Sequence, residues 1–273
     1  MERRSSFSIP PTRLDQFLLD QGFATDLREA RALILRGRVV VDGRLVNKAG
    51  FRICSGLSVL VRPFEKDNVS RGTDKIQPVL EKWNVPVAGG TWADVGAGTG
   101  GFTEALLSLG AKRVYALDVG RGVLHCRLRE DPRVVSMEGL NVRHLRESPL
   151  PEACDGVTVD VSFISLLTVI KGILVLLKDE AVLLPLIKPQ FEAERRHVEP
   201  GGVITRVELI QGVLIRVLTG LIQEHGLHLI RLAPAALCGR KGNQEFIAWL
   251  SRGEVNPGLR PDHAVMNAMK GAT

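Results

Sequence analysis

The stretch Thr91–Thr103, TWADVGAGTGGFT, decides the fold of this 273-residue chain. A short apolar run ends at Val95, passes through a turn rich in glycine and continues into a helical pattern. A strand that turns sharply into a helix presents several backbone N–H groups at the helix N-terminus, and glycines let the main chain approach a ligand closely. Gly96, Gly98 and Gly101 match G-x-G-x-x-G, so the turn predicts a site for a nucleotide-like cofactor.

The sequence from Thr91 onward alternates between β-rich runs and helical patterns. Strands are predicted at about 91–95, 113–118, 133–137, 156–160, 182–187, 228–233 and 244–250, and helices notably at 102–109, 164–177 and 206–225. Such alternation predicts an α/β fold with a mostly parallel sheet covered on both faces, and ligands of such sheets bind beyond the carboxyl ends of the strands. The charged residues at those ends, which we expect at one edge of the sheet, are Asp94, Asp118, Asp160 and Lys188.

Composition excludes several classes of protein. The four cysteines lie far apart with no C-x-x-C pair, which argues against a disulfide framework or a metal site and suits a reducing, cytoplasmic location. The N-terminus lacks the apolar region of a signal peptide. The most apolar stretch, 163–188, contains charged residues that cut it into runs far shorter than the roughly 18 apolar residues of a membrane span. We therefore expect no membrane partner and no metal.

Positive charge is concentrated in the first quarter of the chain. The formal net charge is +6, and residues 1–71 contain 13 Lys and Arg against 8 Asp and Glu. Such asymmetry favours a polyanionic partner, most often nucleic acid, although a well-solvated basic surface has the same composition.

The N-terminal pattern predicts two short helices followed by a hairpin. Leu14, Phe17 and Leu18 recur at helical spacing, and a second helix is predicted over Leu27–Arg36. The run VVVDGRLV then places Asp42-Gly43 between two β-rich segments, which is a strong signal for a type I′ turn.

This segment, RLDQFLLDQGFATDLREARALILRGRVVVDGRLVNKAG, resembles the alpha-L RNA-binding module of a small-subunit ribosomal protein and of pseudouridine synthases. The resemblance implies a small α+β RNA-binding domain at residues 12–62. Arginine suits this role because its planar guanidinium grips phosphate oxygens in two places. The expected RNA contacts are Arg13, Arg28, Arg31, Arg36 and Arg38.

The remaining chain is predicted to form three parts. Residues 63–83 are polar and contain glycine, so they are interpreted as a linker that ends in a short helix over Lys75–Trp83. A second domain is predicted over residues 84–251. Residues 252–273 have scattered apolar residues with Pro and Gly and are interpreted as a tail.

Two cofactors compete for the glycine turn. Asp118 follows Gly101 by 17 residues and fits the ribose of NAD or of S-adenosylmethionine. Asp94 lies directly before the glycines, where a carboxylate repels a pyrophosphate but suits the cationic sulfonium and amino group of S-adenosylmethionine. This favours S-adenosylmethionine.

Four further motifs carry a resemblance to a known family. They are V69-S-R-G-T-D-K75, D160-V-S-F-I-S, K188-P-Q-F-E and K241-G-N-Q-E-F. They resemble the TlyA family of ribosomal RNA 2′-O-methyltransferases, whose catalytic domain is FtsJ-like. The resemblance spans about residues 12–251 and implies a Rossmann-like methyltransferase fold with a seven-stranded, mostly parallel sheet. It also implies ribosomal RNA in ribosomal subunits as substrate, with a cytidine as the target.

The resemblance implies a catalytic tetrad of Lys75, Asp160, Lys188 and Glu245. A ribose 2′-hydroxyl is weakly acidic, so its attack on a methyl carbon needs a group that takes or orients its proton. Lys188 is expected at the hydroxyl, Asp160 to orient Lys188, Lys75 to bias its protonation or contact phosphate, and Glu245 to anchor the cluster. The cofactor contacts implied by the resemblance are Asp94, Gly96, Gly98, Gly100, Asp118 and Asn141.

One departure from the family and two alternative functions stay open. Relatives usually have V-S-R-G-G-x-K-L where this chain has VSRGTDKI, with Thr73 in place of a glycine. This bears on efficiency or target choice more than on reaction class. A non-catalytic RNA-binding or assembly factor is the main alternative, and a haemolysin is the second.

Overall fold

The computed structural model describes residues 12–35, 39–54, 57–61, 69–239, 241–253 and 258–270. Two compact units make up the chain, Met1–Asp67 and Asn68–Thr273. Arg36 and Arg38, two of the expected RNA contacts, lie outside the described residues.

The described residues of the first unit form two helices and five short strands. Their bounds are β1 (Thr12–Arg13), α1 (Leu14–Asp20), α2 (Leu27–Leu35), β2 (Val39–Val41), β3 (Arg44–Leu45), β4 (Arg52–Ile53) and β5 (Val59–Val61). Strand β1 pairs with β4, and β2 pairs with both β3 and β5, all antiparallel. The predicted type I′ turn is confirmed, because Asp42 and Gly43 both have positive φ, 47° and 75°.

The apolar faces predicted for the two helices form the core of this unit. Leu14, Phe17 and Leu18 of α1 are buried, and so are the α2 residues at helical spacing, Ala30, Leu33 and Ile34. Asp26 supplies the N-terminal cap of α2, since its side chain accepts the Glu29 N–H at 2.8 Å.

One buried carboxylate organises the arginines of this unit. Asp15 is 1% exposed, and its two oxygens accept hydrogen bonds from Arg13 Nε and Arg31 Nε, each at 3.0 Å. These hydrogen bonds, led by the one from Arg13, lower the pKa of Asp15 to about 2. Both arginine side chains are more than half exposed. Asp15 therefore fixes two guanidinium groups that still face solvent.

The second unit contains seven strands and seven α-helices among its described residues. Their bounds are α3 (Arg71–Trp83), β6 (Thr91–Val95), α4 (Gly101–Ser108), β7 (Arg113–Asp118), α5 (Cys126–Arg129), β8 (Val134–Glu138), β9 (Cys154–Val159), α6 (Leu166–Leu174), β10 (Leu177–Ile187), α7 (Pro189–Glu192), α8 (Val207–His225), β11 (His228–Pro234), β12 (Phe246–Ser251) and α9 (Pro261–Lys270). The strands form one sheet in the order β11-β12-β10-β9-β6-β7-β8. All pairs from β10 to β8 are parallel, and β12 is antiparallel to both of its neighbours. The predicted seven-stranded, mostly parallel sheet is confirmed.

Alternate strand residues pack on opposite faces of the sheet, as a sheet covered on both sides requires. On β7, Tyr115 and Leu117 belong to the core cluster that α6, α8 and α9 cover. Val114 and Ala116 belong to the cluster that α3 and α4 cover. Within the described part of the chain, no helix combines the length and apolar character that crossing a membrane requires.

Two segments differ from the predicted domain bounds. The helix predicted at the end of the linker is α3, which starts at Arg71 instead of Lys75 and packs Ile76, Leu80 and Trp83 into the core of the second unit. The predicted tail contains α9, which buries Val265 with two small neighbours against the same unit. The sequence does not indicate α9, because the apolar stripe of this helix is short. The stripe becomes a buried face only because α9 packs against α8 and β11.

We predict that Asp15→Asn lowers the free energy of unfolding of the first unit by about 1–3 kcal/mol at pH 7, because hydrogen bonds to a charged acceptor are lost. The folded pKa of Asp15 lies below its unfolded value, so its stabilisation is present above about pH 4 and is lost as the pH falls towards 2. Calorimetric unfolding at pH 7, 5 and 3 should therefore show the difference between the two proteins shrinking at pH 3.

Asp20→Asn is the matched control, since Asp20 is an exposed acid on the same helix. We expect it to change the free energy of unfolding by less than about 0.5 kcal/mol. A difference between wild type and Asp15→Asn that is independent of pH would contradict the assigned role of the carboxylate.

Candidate active site

The glycine turn follows β6 and leads into α4, as the sequence predicts. Gly96, Gly98 and Gly100 all have positive φ, at 80°, 53° and 100°. A Cβ on Gly96 would lie 2.5 Å from the Asp160 carbonyl oxygen, and one on Gly100 would lie 2.1 Å from Leu128 Cδ1. At Gly98 the nearest atom would be 4.0 Å away. Gly96 and Gly100 thus permit close approach of neighbouring protein atoms, from Asp160 and Leu128 respectively. At Gly98 a ligand has room to approach the main chain.

Asp94, which directly precedes the glycine turn at the end of β6, is fully buried. Its side chain is 0% exposed and accepts hydrogen bonds from Thr103 N at 2.8 Å, Thr103 Oγ1 at 2.7 Å and Thr158 Oγ1 at 3.0 Å. Burial raises the pKa of this carboxyl to about 6. Asp94 therefore fixes the start of α4 against β6 and β9, and its direct contact with a cofactor stays a prediction.

Asp118 stands at the end of β7, beside the turn. Its Oδ2 accepts the Gly98 N–H at 2.8 Å and its Oδ1 accepts the Gly120 N–H at 2.7 Å. Each carboxylate oxygen can accept more than one hydrogen bond, so Asp118 retains capacity for hydroxyl donors. The partly exposed carboxylate therefore lies next to the open side of Gly98 and can accept further hydrogen bonds there.

The segment after β8 completes this side of the site. Asn141 is exposed, and its Oδ1 accepts the Arg143 N–H at 3.1 Å. The preceding residue, Leu140, donates its N–H to the Asp118 carbonyl at 3.0 Å, which ties the segment to the end of β7. Asn141 thus lies near the same edge of the sheet as Asp118.

The first lysine–carboxylate pair lies at the ends of β9 and β10. Lys188 Nζ pairs with Asp160 Oδ1 and donates to Ser162 Oγ at 2.9 Å. The Lys188 side chain is 8% exposed and that of Asp160 is 25% exposed. Because β9 and β10 are parallel neighbours, both residues emerge at the same edge of the sheet. The predicted proximity of Asp160 and Lys188 is therefore present.

The second pair joins α3 to the start of β12. Lys75 Nζ lies 2.7 Å from Glu245 Oε2, and Gln190 Nε2 donates to Glu245 Oε1 at 3.3 Å. Strands β10 and β12 pair Ile187 with Phe246, so the antiparallel register sets Glu245 beside the end of β10. Gln190 Oε1 is buried and has no hydrogen-bond partner among the described residues.

Thr73, the departure from the family pattern, has a structural role. Its side chain is 1% exposed, and its single hydroxyl proton is shared between two acceptors, the Gly101 carbonyl oxygen at 3.0 Å and Glu104 Oε2 at 2.8 Å. A Cβ on Gly101 would come within 2.8 Å of Thr73 N. The threonine therefore fastens the start of α3, which carries Lys75, directly to the helix that follows the glycine turn.

The motifs of this site contain further residues that the sequence pattern alone does not mark as functional. Ser162 belongs to D160-V-S-F-I-S, and Gln190 to K188-P-Q-F-E. The same motifs carry Phe163 and Phe191, whose ring centroids lie 4.8 Å apart. Phe163 is 89% exposed and has a φ of 63°, which a bulky residue rarely adopts. Their places in the motifs were the only signal in the sequence.

The arrangement places two ammonium groups, two carboxylates and a glycine turn at one edge of one sheet. A lysine that donates to a carboxylate and to a hydroxyl oxygen still has a third N–H, which can hold an incoming oxygen atom. Such a site can orient a weakly acidic hydroxyl next to a bound nucleotide-like group, and positioning of this kind contributes much of a transfer rate.

Comparison with known proteins agrees with both units. Residues 12–59 match the S4 domain model, and residues 68–252 match the FtsJ-like methyltransferase model. The chain is 38% identical to the 16S/23S rRNA (cytidine-2′-O)-methyltransferase TlyA of Mycobacterium tuberculosis, over 87% of this chain and 89% of that protein.

Two further relatives carry a haemolysin name. Hemolysin A of Brachyspira hyodysenteriae is 35% identical over 86% of this chain and 98% of that protein. A solved structure of a haemolysin-named protein from Streptococcus thermophilus superposes with a TM-score of 0.72 at 32% identity, covering 97% of this chain and 98% of that one. The matched domains and the relatives of nearly full length show that this chain belongs to the TlyA family of FtsJ-like methyltransferases with an N-terminal S4 domain.

Proposed function

We propose that this protein transfers a methyl group from S-adenosylmethionine to a ribose 2′-hydroxyl of ribosomal RNA, with a cytidine in ribosomal subunits as the target. The observation that carries this proposal is the pair of lysine–carboxylate contacts, Lys188–Asp160 and Lys75–Glu245, at the strand ends beside the glycine turn. The name of the relative from Mycobacterium tuberculosis supplies the nucleotide and the position of the methyl group.

The residues around the glycine turn fit S-adenosylmethionine. Gly98 leaves room for a ligand, and Asp118 offers acceptors for ribose hydroxyls at the end of the neighbouring strand. Asn141 lies near this edge and is proposed to contact the adenine. When bound, S-adenosylmethionine would supply an activated methyl group. Because Asp94 is buried, the choice of this cofactor over NAD depends on family membership and not on repulsion of a pyrophosphate by Asp94.

Lys188 is proposed to hold the attacking oxygen. Two of its N–H groups face Asp160 and Ser162, and the third is proposed to orient the 2′-oxygen. When the 2′-oxygen takes the methyl group, the sulfur–carbon bond of the cofactor would break with its electron pair left on sulfur. The hydroxyl proton would leave the oxygen, and the partly exposed Asp160 carboxylate is its proposed acceptor on the way to water.

Lys75 and Glu245 are proposed to support this group. Glu245 is 3% exposed and is held by both Lys75 and Gln190, so it anchors α3 and the segment after β10 together. Lys75 also adds a second positive charge at the edge of the sheet, where the phosphates of an RNA chain would approach. Its proposed role is therefore electrostatic and structural.

The S4 domain is proposed to bind ribosomal RNA. Arg13 and Arg31 converge on Asp15 with their guanidinium groups exposed, and Arg28 is exposed one helical turn before Arg31. Structured RNA is recognised largely by shape and by contacts to phosphate and sugar, which suits a set of preorganised arginines.

We expect labelled S-adenosylmethionine to transfer its methyl group to ribosomal subunits, and mapping of 2′-O-methylated sites to locate it on a cytidine. Lys188→Ala should lower the rate of transfer at least about 100-fold, because the group that orients the oxygen is lost.

Lys178→Ala is the matched control, because Lys178 forms a similar pair with Asp155, at 2.6 Å, at the opposite ends of the strands. It should retain the wild-type rate. Normal transfer by Lys188→Ala would refute the mechanism. RNA binding without cofactor binding would favour the assembly-factor alternative, and lysis of erythrocytes by the pure protein would favour the haemolysin.

Asp118→Ala is predicted to weaken the binding of S-adenosylmethionine by about 10- to 100-fold, because a charged acceptor of hydrogen bonds is lost. Calorimetric titration measures this directly. Asp179→Ala, which removes a fully exposed side chain, should leave the affinity unchanged. Tight binding of NAD in place of S-adenosylmethionine would contradict the assignment of the cofactor.

Arg28→Ala is predicted to weaken the binding of ribosomal RNA and to lower the slope of log affinity against log salt by about one, as for the loss of one phosphate contact. Arg133→Ala serves as the control, because Arg133 pairs with Asp131 in the second unit. Equal salt slopes for wild type and Arg28→Ala would remove Arg28 from the interface.

A further inference from the structure

Glu192 is a buried carboxylate that the catalytic scheme does not use. It is 8% exposed and ends the K188-P-Q-F-E motif at the last residue of α7. Its Oε2 accepts the Ser165 hydroxyl at 2.6 Å, and its Oε1 accepts the Leu166 N–H at 2.7 Å. Arg216 donates to the main-chain carbonyl of the same residue.

The partners of Glu192 lie at the start of α6. Ser165 is the N-terminal cap of that helix, and its hydroxyl oxygen also accepts the Leu167 N–H at 3.3 Å. Leu166 is the first residue of the helix, so Glu192 satisfies a main-chain N–H that has no partner within the helix. A carboxylate at a helix N-terminus is also favoured by the helix dipole.

These contacts join the two segments that carry the catalytic residues. Residues 160–165 hold Asp160, and residues 188–192 hold Lys188. Between the same segments run the Lys188–Asp160 pair and the contact between Phe163 and Phe191. The hydrogen bonds of Glu192 differ from these two contacts because they reach the first turn of helix α6. That helix is packed in the core through Val169 and Ile170.

Burial of the Glu192 carboxylate costs desolvation free energy, so packing alone does not explain why an acid occupies this position. Desolvation raises the pKa of Glu192, which is the sign of a carboxylate held in an environment that disfavours its charge. An apolar residue would avoid this cost but would leave the Leu166 N–H without an acceptor. The hydrogen bonds therefore account for an acid at this position.

We propose that Glu192 is a positioning residue for methyl transfer. It clamps residues 188–192 onto the start of α6 and thereby holds Lys188 and Asp160 in their relative positions. This inference rests on the proposed function only where it predicts a change in the rate of methyl transfer. Its structural consequence is independent of activity, because loss of the clamp must loosen residues 160–167.

Glu192→Ala and Glu192→Gln separate this role from general stability. Alanine removes both acceptors. A glutamine oxygen can still accept the Leu166 N–H, and the amide can donate to Ser165 Oγ, so the clamp is largely kept. We expect single-turnover transfer to ribosomal subunits to fall about 10- to 100-fold in Glu192→Ala and to stay within about threefold of wild type in Glu192→Gln.

The affinity for S-adenosylmethionine should stay within about threefold in both variants, because the Glu192 carboxylate forms its hydrogen bonds with Ser165 and Leu166 at the start of α6 and not with the glycine turn. Asp155→Ala is the matched control. Asp155 also accepts a main-chain N–H, from Thr91 at 2.8 Å, but at the opposite edge of the sheet. It should retain the wild-type rate even where its thermal midpoint falls.

Hydrogen–deuterium exchange provides the readout that does not depend on activity. Exchange of residues 160–167 should accelerate at least about tenfold in Glu192→Ala and remain at the wild-type rate in Glu192→Gln. Unchanged exchange there, or rate losses in Glu192→Ala that merely parallel loss of cofactor binding, would overturn the inference. If the wild type itself transfers no methyl group, the proposed function fails, and the exchange data alone decide the clamp.

Discussion

The carboxylate of Asp94 has no exposed surface, yet it receives hydrogen bonds from Thr103 at the start of α4 and from Thr158 in β9. A buried charge is tolerated only where its oxygens are satisfied, so the geometry around it is strongly constrained. Here that constraint joins β6, its neighbouring strand and the helix after the glycine turn. The turn that contains Gly98 lies between Asp94 and Thr103, and the Gly98 N–H in turn is accepted by Asp118 at the end of β7.

The catalytic edge shows the same principle with paired charges. Lys188 and Glu245 are both nearly buried, and each lies against an oppositely charged side chain from another element. Removing one partner would leave the other charge in a poorly hydrated place, which is why such pairs hold loops in one geometry. Thr73 adds a neutral contact with the same effect, since it ties α3 to the carbonyl of Gly101.

The S4 unit uses a buried acid for a different purpose. Asp15 holds Arg13 and Arg31 while both guanidinium groups remain exposed. An arginine that is already oriented loses less side-chain entropy when it meets a phosphate than a free one does. The spacing of these arginines in the sequence does not show that one carboxylate contacts both Arg13 and Arg31.

The sequence by itself determined the alternation of strands and helices, the glycine turn, the hairpin at Asp42-Gly43 and the residues at the strand ends. These follow from local rules, since side-chain periodicity and positive φ are properties of short segments. Only the tertiary structure decided that Asp94 is buried, that Lys75 pairs with Glu245 170 positions later in the chain, and that α9 has a surface to cover. Burial and pairing depend on which distant elements become neighbours, and in this sheet the strand order sets that.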